Sequence, residues 1–293
     1  MSKEGRRNWR INSWVVDTLA FVRGNHLPEF TFSSEGAFVK DQDGLWYWFD
    51  PQHATGGLIG AMQGIASEGT ELGLITENIA AGSVVFDVGA GFGKYALNLA
   101  AKKNAVVYAF EPTTMTERAF RKNILRNGFG DRIHAYRSAV ADAEGRAALA
   151  SVFDGNYIVP GCAPGAKPLG AGWEDVPVVT IDAVIRREGI GKVDFIKIDV
   201  EGAELLVLKG ADECLKQYKP YMQLEIDSRW TERFGYSPPD LLAYLKNRGY
   251  NYLYISEKEN KVCKPRASES IGEQLAKGYN FFFYPESKPV PRF

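Results

Sequence analysis

The chain has 293 residues, 45% hydrophobic and 24% charged, the balance of a soluble globular protein able to bury one large core and carry an extension. Its 35 basic and 36 acidic residues leave a net charge of −1, so no basic field argues for a nucleic-acid partner. Cys162, Cys214 and Cys263 form no C-x-x-C pair, which disfavours a zinc cluster or disulfide framework and points to a reducing, cytoplasmic compartment.

In chain order, the opening stretch has a basic start, but Asp17 interrupts its apolar run and no small-residue cleavage site follows, so it does not read as a signal peptide. Ile11, Trp14, Val15, Leu19 and Val22 fall at helical spacing and predict an amphipathic helix that packs on its own domain. With Lys3, Arg6, Arg7 and Arg10 beside it, residues 1–23 also have the character of a peripheral membrane contact, although no run is long enough to span a bilayer. TFSSEGAFVK and LWYWFDP flank an Asp-Gln-Asp-Gly turn and predict a β-hairpin. The glycine-bearing segment after it predicts one or two helices. Residues 1–80 therefore read as a helical and hairpin extension, and 81–293 as the main domain.

From residue 84 apolar strands alternate with helices. VVFDVGA is followed by a helix through KYALNLAAKK, VVYAFEP by TERAFRKNILRNG, and IHAYRSAV (133–140) predicts a third strand. VDFIKIDV leads into a helix through GAELLVLKGADECLKQYK, and YMQLEID into PPDLLAYLKNRG, with Ser237 as cap and Pro238 at its start. NYLYISE and NFFFYPE close the chain as strands with no helix evident between them, so one of them runs antiparallel. Continuous apolar strands in βα order predict an α/β fold with an open, doubly wound, mostly parallel sheet. Residues 151–179, rich in glycine and proline, break this alternation and read as a long functional loop.

The first strand of this domain ends in Asp87-Val88-Gly89-Ala90-Gly91-Phe92-Gly93, a loop that lets a ligand approach backbone N–H groups. A dinucleotide fingerprint needs a glycine where Lys94 stands, and a P-loop needs glycine and Ser/Thr where Val88 and Tyr95 stand. What remains, acid-x-G-x-G-x-G, resembles the first motif of class I methyltransferases. There Asp87 would help to organise the loop and the ammonium of S-adenosylmethionine. Glu111, about 20 residues further on at the tip of the next strand, is placed to accept hydrogen bonds from ribose hydroxyls.

Thr180-Ile181-Asp182, then Val193-Asp194-Phe195-Ile196-Lys197-Ile198-Asp199-Val200-Glu201-Gly202-Ala203-Glu204 and Leu208-Lys209-Gly210, resemble the FkbM family of methyltransferases. The stretch Arg121–Gly128 around Asn123, and Glu225, match it as well; the resemblance covers about residues 80–255. It implies a seven-stranded Rossmann-like methyltransferase sheet and methyl transfer to oxygen of a small molecule, sugar, glycan or lipid-linked acceptor. By position it implies cofactor contacts from Asp87, Gly89, Gly91, Gly93, Glu111, Asn123 and Asp199, with Ala139 beside the adenine.

An alcohol must lose its proton as the methyl bond forms, so a carboxylate, a His or a metal is expected beside it. Asp199 and Glu201 at one strand end, with Glu225 and Asp227 at the next, are the candidates, since alternate strand residues face one way. The acids have two opposed chemical readings, a general base or a Mg²⁺ site, and Glu201 has a third, as a cap of the following helix. His134 reads as a core or edge residue and Lys197 as a buried, paired lysine; His26 and His53 are bases only if the extension folds over the site. Trp173, Tyr157 and Trp230 are candidate walls of an acceptor pocket. A non-catalytic cofactor-binding or scaffold protein is the alternative, a nicotinamide dehydrogenase a distant third.

Overall fold

The computed structural model describes residues 29–33, 36–41, 43–49, 67–152, 155–159 and 173–293. The expected amphipathic helix at 11–22, His26, His53, Cys162 and most of the glycine-rich segment before residue 67 lie outside them. The chain forms two compact units, 1–65 and 66–293, so residues 66–80, read from the sequence as extension, fall within the larger unit.

In the first unit, β1 (Phe30–Ser33), β2 (Gly36–Lys40) and β3 (Trp46–Phe49) form an antiparallel meander. The stretch read as one hairpin arm is thus two strands, paired Phe30 with Val39. The β2–β3 turn is fastened by Asp41, whose Oδ1 accepts from the N–H groups of Asp43 and Leu45, both at 2.9 Å.

The larger unit opens with α1 (Ser67–Asn78), followed by β4 (Val84–Val88), α2 (Lys94–Lys103), β5 (Val106–Phe110), α3 (Thr114–Arg126) and β6 (Ile133–Tyr136). A second, four-stranded sheet follows, from β7 (Ala139–Val140), β8 (Gly145–Val152), β9 (Gly155–Ile158) and β10 (Trp173–Val179). The chain then continues through α4 (Ile181–Glu188), β11 (Phe195–Ile198), α5 (Glu204–Lys209), α6 (Asp212–Gln217), β12 (Tyr221–Glu225), α7 (Ser228–Thr231) and α8 (Pro238–Lys246). It ends with β13 (Tyr250–Ser256), β14 (Lys261–Cys263), α9 (Ile271–Leu275) and β15 (Asn280–Pro285).

The central sheet has the order β14-β13-β15-β12-β11-β4-β5-β6. β15 runs antiparallel to both its neighbours, as expected of one of the last two strands, and β4, β5, β6, β11 and β12 pair in parallel. The sheet has eight strands rather than seven, because three residues after β13 fold back on it as β14. Phe86, Val88, Ile196, Ile198, Met222 and Leu224 are buried to within 1% on central strands covered on both faces, which accounts for their unbroken apolar runs. The chain starts at β4, builds outward to β6, and returns to the other side of β4 with β11. This reversal is the topological switch point where doubly wound sheets open a ligand crevice.

Three local expectations are corrected. The third strand read over 133–140 breaks at residue 136, and Ala139 and Val140 join the second sheet through β10. The region 151–179 is not one loop: β9 and the seven-residue β10 lie within it. Pro177 is tolerated because β7 pairs only with Val178 and Val179, leaving β10 an edge at the proline. The long helix after residue 203 divides at Gly210, where a Cβ would lie 2.0 Å from the carbonyl oxygen of Ala141. Among the described residues no helix is long and apolar enough to cross a membrane.

Candidate active site

The turn after β4 carries three left-handed glycines with different jobs. Gly89 (φ 80°) packs its α-carbon where a Cβ would lie 1.8 Å from the carbonyl oxygen of Asp199, and Gly93 (φ 88°) does the same against the Phe120 ring at 2.0 Å. Gly91 (φ 55°) has open space where a Cβ would stand. The first and third glycines thus seat the loop against the protein, and the middle one has open space beside it. The loop is tied down by Gly89 and Ala90, which donate to the Phe110 carbonyl at 2.9 and 3.0 Å, and by Asn123 Nδ2, which donates to the Phe92 carbonyl at 2.9 Å. Asn123 is fully buried, and this bond ties α3 to the loop.

Glu111, just past β5, takes the Gly91 N–H on one oxygen at 3.1 Å and the Thr113 N–H on the other at 2.9 Å. Each oxygen keeps a second lone pair. Asp87 accepts from the Ala96 N–H at 3.1 Å through Oδ2, while its buried Oδ1 accepts no hydrogen bond. A buried acceptor without a donor is costly in the protein alone, and a donor-bearing ligand would relieve it.

Across the switch point, carboxylate oxygens of Asp199, Glu201 and Glu225 lie within 4.8 Å of one another. The reason differs from the expected strand alternation. β11 stops at Ile198, and Glu201 is left-handed (φ 52°), so a turn rather than a pleat brings it round. Lys197 is the buried, paired lysine expected: its ammonium donates to Asp199 Oδ2 at 2.9 Å and lies 4.6 Å from the Tyr95 ring centre. Burial works against the Asp199 carboxylate, but Lys197 and a hydrogen bond from Glu225 hold its pKa below the ordinary range. The charge on Asp199, then burial, push Glu225 well up. Crowding thus disfavours two charges on the pair at once, and the Lys197 contact biases the charge toward Asp199.

Two acids near the cluster are committed elsewhere. Asp227, expected to extend it, is bound by the Arg229 guanidinium and caps α7 through the Arg229 N–H at 2.8 Å. The helix-entry role considered for Glu201 belongs to Glu204, whose Oε1 accepts from Val200 and Gly202 at 3.3 and 3.1 Å and whose Oε2 accepts from the Tyr236 hydroxyl at 3.0 Å. Ala139 is buried among Ala141, Leu149, Val176 and Val178 in the second sheet. His134 is exposed on edge strand β6 and stacks on Tyr108. Trp230 is buried with its carbonyl against Gly202, Trp173 is half-buried at the start of β10, and the side chain of Tyr157 lies outside the described residues. Sequence reasoning missed Glu71 and Gln223, which are buried, and the half-buried Tyr95, whose ring lies against the Lys197 ammonium. They sit singly in apolar or glycine-rich stretches, with no motif to mark them.

Burial pushes Asp87 up to about 6 and Glu204 up to about 7. Between the ordinary carboxylate range and these values the folded chain keeps protons that the unfolded chain has released, so stability falls as pH rises. Chemical denaturation without cofactor should therefore show a higher midpoint at about pH 5 than at about pH 7.5. A midpoint that rises over that interval would contradict the assignment.

The profile of the methyltransferase FkbM domain matches residues 87–252. That span is more than half of the chain and holds the glycine loop, Glu111 and the Asp199–Glu225 cluster. The chain belongs to the FkbM methyltransferase family. Among FkbM relatives, the 31-O-demethyl-FK506 methyltransferase FkbM of Streptomyces tacrolimicus is 31% identical over 161 residues, covering 45% of this chain and 61% of its own length. The methyltransferase sdnD of Sordaria araneosa is 25% identical over 201 residues, covering 59% of this chain and 76% of its own. The crystal structure of an FkbM methyltransferase from Methylobacillus flagellatus superposes with a TM-score of 0.46 at 19% identity, covering 70% of this chain and 44% of that one.

Proposed function

We propose that this chain transfers a methyl group from S-adenosylmethionine to a hydroxyl oxygen of a small molecule, sugar or glycan. The observation that carries the reading is the cluster of Asp199, Glu201 and Glu225 carboxyls, with Lys197 donating to Asp199 at 2.9 Å, set beside the glycine loop, where Gly89 packs against the Asp199 carbonyl.

The chain's own groups suit the cofactor. Asp87 offers an unpartnered buried acceptor, Gly91 an open backbone surface, and Glu111 two oxygens pre-oriented by the Gly91 and Thr113 N–H groups. The cofactor supplies a methyl group already activated by its sulfonium. What the protein must add is alignment and removal of a proton. Asp199 would take the acceptor's hydroxyl proton as the oxygen–carbon bond forms and the sulfur–carbon bond breaks to leave the demethylated thioether, with Lys197 paired to Asp199 beforehand. Glu201, half-buried at the cluster's edge, is placed to orient the acceptor. The Mg²⁺ reading is less well supported by the donor set, because the Lys197 ammonium already pairs with Asp199. Crowded carboxyls also favour neutral, hydroxyl-rich acceptors over phosphates or carboxylates.

Incubation with tritiated-methyl S-adenosylmethionine and a panel of sugars, polyols and 31-O-demethyl-FK506 should label at least one hydroxyl compound. Cofactor binding with no transfer to any acceptor would favour the scaffold alternative. Glu111→Ala should weaken cofactor binding by about 100-fold or more, since two charge-assisted hydrogen bonds are worth ~1.5–3 kcal/mol each. Unchanged affinity would remove Glu111 from the site.

A further inference from the structure

Helix α1 precedes the family-matched residues, yet it places a carboxyl at the back of the candidate active site. Glu71 is 4% exposed. It accepts a hydrogen bond from the Tyr95 hydroxyl and another, at 2.8 Å, from Gln223 Nε2. Tyr95 belongs to α2, which the glycine loop leads into, and its ring underlies the Lys197 ammonium. Gln223 is the register partner of Lys197 and lies two residues before Glu225 on β12, so both project on that face. Glu71 therefore bridges the helix that follows the cofactor loop and the strand that carries Glu225.

Packing alone does not account for a carboxyl at this position. Leu72, Leu74 and Ile75 show that α1 buries ordinary apolar residues on either side. Burying a carboxyl costs free energy unless it is hydrogen-bonded, and a leucine would fill the space without that cost. Without Glu71 the Tyr95 hydroxyl and one Gln223 donor lose their shared acceptor, and the Tyr95 ring is no longer fixed beneath Lys197. We infer that Glu71 is a positioning residue for methyl transfer, holding Tyr95 and Gln223 so that Lys197 is seated against Asp199. The inference rests on Asp199 being the base proposed above.

The test is steady-state kinetics with tritiated-methyl S-adenosylmethionine and whichever panel acceptor the wild type labels, on Glu71→Ala, Glu71→Gln and Tyr95→Phe. A shift of the order of an ångström in a reacting group costs up to about 100-fold in rate, so kcat should fall about 10- to 100-fold in Glu71→Ala and by less in Tyr95→Phe. Acceptor KM and calorimetric cofactor Kd should stay within about twofold, because the interaction is used at the transition state and not in binding. Glu71→Gln should recover part of the rate, its amide oxygen still accepting from Tyr95. A purely structural role would lower the melting temperature and leave kcat per folded molecule within about twofold of wild type, which would overturn the inference. A parallel loss of cofactor affinity would overturn it too, by making Glu71 a support of the glycine loop. Should Glu71→Ala not fold, Tyr95→Phe decides on its own, since it keeps the ring and deletes only the hydroxyl. A wild type that labels no acceptor sinks the proposed function first, and this role with it.

Discussion

Asp199→Asn should reduce methyl transfer by about 100- to 10,000-fold, the range of a positioned general base, while S-adenosylmethionine binding changes much less. Asparagine keeps the shape of the side chain and an oxygen for Lys197 but cannot take a proton at neutral pH. The variant also leaves the buried Lys197 ammonium without its counter-charge. Breaking a fully buried ion pair costs ~3–5 kcal/mol. Asp199 is 40% exposed on its side chain, so water reaches this pair and the loss should be smaller. Activity and unfolding should therefore be measured together, with the rate taken well below the melting temperature. A variant that retains wild-type kcat would exclude Asp199 as the base and move attention to Glu201.

Gly89→Ala should be among the most destabilising single substitutions in the glycine loop. The new methyl group would stand 1.8 Å from the backbone carbonyl oxygen of Asp199, which has no flexible end to swing away. The left-handed backbone adds ~1–2 kcal/mol and forced overpacking ~1–3 kcal/mol, for a total of about 2–5 kcal/mol. Gly91→Ala is the informative contrast, because its methyl group meets nothing within 4 Å. It should cost only the backbone contribution, ~1–2 kcal/mol, and show its main effect as weakened cofactor binding. Equal stability losses in the two variants would mean that the glycines do not divide the work as their surroundings indicate.

These two glycines also show how far the sequence could be read. The motif placed all three glycines and Asp87 at a strand end, because βα periodicity and loop chemistry are local signals. It could not tell which glycine has open space beside it and which faces Asp199 or Phe120, since those neighbours are 27 to 110 residues away in the chain. Glu111 was legible as a strand-tip acid for the same local reason, and its bonds to Gly91 and Thr113 tie it to the glycine loop. The acidic cluster was found partly for the wrong reason: strand alternation suggested Asp199 and Glu201 together, whereas a left-handed turn at Glu201 joins them. Asp227 looked equivalent to Glu225 by spacing, and only Arg229 beside it shows that its charge is already used. The second sheet was hidden by composition, as Pro177 and many glycines masked strands whose pairing partners lie elsewhere in the chain. Glu71 was invisible because nothing in α1 announces that Tyr95 and Gln223 will meet it.

The central claim is that the crevice between β4 and β11 is a cofactor site, and calorimetric titration of S-adenosylmethionine into the full chain tests it most directly. One equivalent should bind to the wild type, with affinity sharply reduced in Glu111→Ala and largely kept in Asp199→Asn. Absence of binding to the folded wild type, or equal binding by all three proteins, would contradict it.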